Sequence, residues 1–311
     1  MRNRALRTAG IVLMFFSAGF ICYRFSKFDL SSIEIDIGFS SVMLLVIALI
    51  VQTLSVLALG AMFLRNVGKG KDGQKIPVKE AVLVYCRANL GKYIPGNVFQ
   101  YVERNIFFSS YGISHVDTVM ASLLEVTGLV VGAFIISVSF GNFEVIGEAV
   151  RQYGYVIPVI CVFLVIAVIA AIIFVRKKKK SLIGIIKRVK ERGGVKLLLL
   201  DVLGYTVILL VMGAVALLAY CAMTSSAQAG PDLVSLPGAY IAAWLCGFII
   251  IGAPGGIGVR EAVFSLIYIN TPYLDEVLAL SILIRVISVI ADILAFVAAL
   301  ILCGSKRSKK I

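Results

Sequence analysis

The chain has 311 residues, is 60% hydrophobic and carries a formal net charge of +13, with a mean hydropathy of +1.00. That composition excludes a soluble globular domain. The basic residues fall in short runs between apolar stretches: Arg2 to Arg7, Arg65 to Lys79, Arg176 to Lys196 and Lys306 to Lys310. This distribution fits cytoplasmic loops under the positive-inside rule and argues against nucleic acid as a partner.

In chain order, the sequence predicts an all-α, polytopic membrane bundle of about eight transmembrane helices, some broken or re-entrant. A basic start and an apolar stretch at 9–23, with no small-residue cleavage site, read as a retained signal anchor. The second span is 39–64. A basic loop leads to a broken segment, 80–112, whose halves at 81–90 and 98–111 are too short or too polar to cross. They read as a re-entrant or interfacial helical hairpin. The third span is 118–140, with Glu125 inside it and Gly128 and Gly132 four apart, a spacing that serves internal packing or a dimer. The fourth is 155–175. A basic amphipathic stretch follows at 183–195, suited to the inner leaflet.

The fifth span is 197–223, with Asp201 read as interfacial. The sixth is 236–253, and a short helix at 259–270 counts as a seventh crossing. The last span, 277–303, holds Arg285 and Asp292, and both termini are expected in the cytoplasm. The whole reads as one membrane domain over 1–311. Its first half is 1–175, broken at 91–96, its basic linker 176–196, and its second half 197–311, broken at 254–258. A weak pseudo-repeat links the halves, each having a Pro-Gly break, an arginine, a short helix and a span with an ionisable residue.

The two breaks concentrate the chemistry. They are Gly91-Lys92-Tyr93-Ile94-Pro95-Gly96, followed by Glu103 and Arg104, and Pro254-Gly255-Gly256-Ile257-Gly258-Val259-Arg260-Glu261. Proline and glycine interrupt the backbone ladder, and hydrocarbon cannot satisfy the freed groups, so such breaks survive only against protein or a wet cavity. Lys92, Arg104 and Arg260 accompany the breaks, where helix N-termini and arginine forks suit anions. The competing reading is snorkelling to the interface. Glu103 and Glu261 adjoin the arginines and would orient or neutralise them, although adjacent helix positions do not face each other. Glu125, Arg285 and Asp292 lie within spans, where a charge costs about 2.5–3.5 kcal/mol. They either lock the bundle by ion pairing or meet a headgroup. Asn97 and Gln100 are further headgroup candidates, and Trp244 reads as a packing residue.

His115 is the one histidine and reads as a cap or surface residue. The six cysteines (Cys22, Cys86, Cys161, Cys221, Cys246, Cys303) are spread as isolated buried thiols. No cofactor or metal is expected.

The stretch from Asn89 through Gly96 with Arg104 after it, the stretch Pro254 to Ala262, and the final helix with Arg285 and Asp292 resemble the lysylphosphatidylglycerol synthase transmembrane region, or flippase-like domain, family. The resemblance implies an integral membrane protein that moves or handles lipid headgroups. It also implies that this chain, ending at Ile311 without a soluble synthase domain, does not make such a lipid itself.

The function expected is therefore a lipid translocase of the plasma membrane. It would hold an anionic, aminoacylated or polyprenyl-linked lipid in a polar groove. Lys92, Arg104, Arg260 and Arg285 would replace the hydration of a phosphate, and Glu125 and Asp292 would balance them or meet a cationic portion. Two alternatives stand: a membrane partner subunit for a glycosyltransferase or lipid synthase, and an embedded transferase.

Overall fold

The computed structural model describes residues 38–67, 76–93, 99–141, 190–191, 193–224, 230–249 and 254–304. The expected spans at 9–23 and 155–175, the amphipathic stretch as far as 189, and Pro95, Gly96 and Asn97 of the first break lie outside them. The described residues form eight α-helices and no strand. They are α1 Phe39–Val67, α2 Val78–Leu90, α3 Phe99–Ser110, α4 His115–Ser139, α5 Gly194–Met223, α6 Leu236–Ile249, α7 Val259–Ile267 and α8 Leu274–Cys303. The protein is an all-α membrane bundle.

Four of these helices, α1, α4, α5 and α8, are long and apolar enough to cross a bilayer. At 1.5 Å per residue they extend about 38–45 Å, more than the ~30 Å hydrocarbon core. Their outer faces carry exposed Ile50, Leu54, Phe134, Leu203 and Ile301, as lipid contact requires.

Two helical hairpins fill the spaces between the long helices. In the first, α2 and α3 run antiparallel: Arg87 pairs with Glu103 near the break, and the Tyr111 hydroxyl donates to Glu80 at the far end. In the second, Gly247 of α6 lies against Arg260 of α7, and the Tyr240 and Phe264 rings meet edge-on at 6.1 Å. This arrangement corrects one expectation. Within the apolar run at 236–253, residues 236–249 are helical and 250–253 lie outside the described residues; α7 has 9 residues, a rise of only about 13 Å. The short helix is therefore not a crossing of its own. α6 and α7 together make a broken hairpin, in the same order as α2 and α3, and each hairpin is followed by a long helix carrying an ionisable residue.

Because lipid tails are as apolar as leucine, helices in a bilayer associate through small residues and close packing. Ala295 and Ala299 of α8 pack against Leu83 and Cys86 of α2. Gly128 and Gly132 serve the internal contact of α4 with α5: a Cβ on Gly128 would lie 2.4 Å from Tyr205 Cδ2, and one on Gly132 2.7 Å from Thr206 Oγ1 and 3.1 Å from its Cα. Cys221 departs from the expected burial and is exposed on α5. His115 opens α4, contacts Asn105, and follows the cap Ser114, whose side chain accepts the Asp117 N–H at 3.1 Å.

The Gly132→Val protein is expected to lose about 1–3 kcal/mol through overpacking against α5 backbone. Gly204→Ala meets only the flexible end of Met62 and is expected to lose less. Thermal unfolding of the purified proteins in detergent compares the two.

Candidate functional site

The two breaks meet inside the bundle. A Cβ on Gly255 would lie 3.4 Å from the Tyr93 ring, and the Arg285 guanidinium donates to the Gly255 carbonyl at 2.8 Å. Gly255 and Gly256 have φ of 57° and 74°, a left-handed backbone that favours glycine. Beside the junction is a cavity of about 90 Å³, room for several waters at about 10–15 Å³ each. Lys92, Arg104, Arg260, Arg285, Glu125 and Asp292 all line it. Four cations thus face two carboxylates.

Each carboxylate already has a cation and at least one further donor from the protein. Asp292, almost completely buried on α8, meets Lys92 Nζ at 2.7 Å and accepts from Asn89 Nδ2 at 2.8 Å and the Tyr93 hydroxyl at 2.5 Å. Glu125 on α4 pairs with Arg104 Nη1 at 2.7 Å and accepts the Tyr85 hydroxyl at 2.5 Å. Arg104 is 2% exposed. Its guanidinium carbon stands 3.9 Å from the Tyr85 ring centre and 4.9 Å from that of Phe63, which adds cation–π attraction to the ion pair.

Arg260 differs. It makes no ion pair with any described residue, and its Nε is buried without an acceptor. Its stem passes between two glycines: a Cβ on Gly247 would fall 2.4 Å from its Cγ, and one on Gly256 2.8 Å from its Nε. Its guanidinium carbon stands 5.5 Å from the Trp244 ring, which stacks on Phe248 at 5.0 Å. Trp244, read from sequence as a packing residue, therefore also forms a wall of the cavity.

Of the remaining sequence candidates, Glu103, Glu261 and Asp201 lie outside the cavity lining. Glu103 pairs with Arg87 at the half-exposed side of the first hairpin. Glu261 accepts the Gly258 N–H at 2.7 Å, closing the first turn of α7 and taking up an end-of-helix donor. Gly258 holds a φ of 86° there. Asp201 is fully buried and receives Arg65 and Asn66 from the end of α1; an aspartate inside an apolar helix needs such donors. Gln100 lines the cavity and Gly91 is buried in the turn after α2. Pro254 opens the second break.

Tyr85, Asn89, Tyr93 and Gln52 were missed as site residues. Two of them had a readable signal: Tyr85 and Asn89 are four apart and share one face of α2, just before the turn that carries Lys92 and Tyr93.

In class, this is a polytopic helical membrane protein whose intramembrane charges converge on one cavity. It belongs to the family described as the lysylphosphatidylglycerol synthase TM region, whose model matches residues 7–295. No curated protein matches the chain closely.

Removing one member of a buried ion pair costs about 3–5 kcal/mol, whereas replacing both by apolar groups costs far less. Glu125→Leu is expected to destabilise by that amount and Glu125→Leu with Arg104→Met to recover most of it. Unfolding midpoints of the single and double variants provide the measurement.

Proposed function

We propose that the protein is a lipid translocase that admits an anionic headgroup, through its phosphate, to the cavity between the two breaks while the acyl chains stay in the bilayer. The observation that supports this most is Arg260, a cation lining the cavity without a carboxylate of its own. Holding it there costs about 2.5–3.5 kcal/mol on insertion scales, and a phosphate accepting from its fork offsets that cost. Arg285 stands at the same junction, anchored on Gly255. Lys92 and Arg104 are already neutralised by Asp292 and Glu125, so they shape the site more than they supply free charge. Family membership agrees with handling of membrane phospholipid. In this reading the protein sits in the cell membrane with both termini cytoplasmic, the orientation that the basic runs between apolar stretches favour.

Alternating access in this reading comes from one half of the chain rocking against the other, with the junction of Tyr93 and Gly255 as the place that opens. Headgroup translocation in proteoliposomes is expected to fall at least tenfold when Arg260→Ala and Arg285→Ala are combined. A combined variant that translocates within twofold of the unsubstituted protein contradicts the groove.

A further inference from the structure

The cavity contains more than charge. Gln52 lies near the middle of α1, a helix of 29 residues. Its side chain is buried from the outside and lines the cavity, and it hydrogen-bonds no described residue. An amide at that depth without a partner is costly. Three residues on, Ser55 lines the same wall and gives its proton to the Val51 carbonyl at 2.9 Å, so its oxygen remains free to accept. Together they present a donor and two acceptors, the set that a hydroxyl group, itself donor and acceptor, complements.

An ammonium group could donate to those neutral oxygens but would find no free counter-charge among the described residues. Away from water it needs a carboxylate or an aromatic face. Both cavity carboxylates are occupied by the protein's own donors. The aromatic rings already stand beside the protein's own cations: Tyr85 and Tyr101 beside Arg104, Tyr93 beside Lys92 and Arg285, and Trp244 beside Arg260. Phe248 is stacked on Trp244.

We infer that the site selects phosphate-bearing headgroups whose far end is uncharged and hydroxylated, such as a glycerol or a sugar, against those ending in an ammonium, and that Gln52 reads the hydroxyl. This rests on the translocase reading and specifies its substrate class. The same reasoning disfavours an aminoacylated headgroup.

The test uses the full chain in liposomes with tail-labelled phosphatidylglycerol, phosphatidylserine, phosphatidylethanolamine and lysylphosphatidylglycerol, read by dithionite quenching. Phosphatidylglycerol is expected to move at least fivefold faster than the other three. Gln52→Leu is expected to narrow that preference about three- to tenfold, the effect of losing one hydrogen bond. Gln52→Glu, nearly isosteric, supplies the missing carboxylate and is expected to shift the preference toward the ammonium lipids. Phosphatidylserine has the same net charge as phosphatidylglycerol, so equal rates for these two show selection by charge alone and overturn the inference while leaving translocation intact. Unchanged ratios in both Gln52 variants overturn it as well. If no lipid moves, the translocase reading itself fails and this inference fails with it. For a variant that inserts but turns over slowly, the ratio of lipids retained on detergent extraction, read by native mass spectrometry, makes the same comparison.

Discussion

Asp292 accepts from Asn89, Lys92 and Tyr93, three residues of one short stretch where α2 ends. The arrangement answers the constraint imposed by a bilayer: hydrocarbon offers no hydrogen bond to a polar group that leaves the helical ladder. The first break can exist because a carboxylate on another helix receives its side chains. The second is held by the opposite charge, Arg285 donating to the Gly255 carbonyl. Both anchors belong to α8, seven positions and so about 10 Å apart. One rigid helix therefore fixes both breaks and the cavity between them.

Charge balance follows from that geometry. Two of the four cavity cations are matched by carboxylates within 2.7 Å, and the matched pairs sit where the first hairpin joins α4 and α8. The excess positive charge lies toward the second hairpin, around Arg260. The two hairpins are alike in order but not in electrostatics. The first is neutralised by its neighbours, whereas the second carries a guanidinium held by packing against glycine and tryptophan.

Much of this was legible in the sequence. The long apolar runs marked α1, α4, α5 and α8 to within a few residues, because a stretch of that length and composition has few soluble alternatives. The Pro-Gly clusters marked both breaks, and the ionisable residues inside spans marked Glu125, Arg285 and Asp292. The hairpin character of α6 and α7 was hidden because hydropathy counts apolar residues and is blind to where the backbone doubles back. Partners were hidden for a different reason. Asn89 and Asp292 are 203 positions apart, and nothing local announces their meeting. Glu103 and Arg104 are neighbours in sequence but point about 100° apart on α3, so one reaches Arg87 at the surface and the other Glu125 inside. Gln52 was passed over because a single amide does little to the hydropathy of a long apolar helix.

The slot between Gly247 and Gly256 has a consequence for timing. An arginine in solution samples many rotamers, and freezing it costs about 1.5–2 kcal/mol. Here the stem is already threaded between two backbones that have no side chains to yield, so that entropy was surrendered when the chain folded. An anion reaching the slot meets a fork already immobilised in place, and the cost of stilling it does not fall on the encounter.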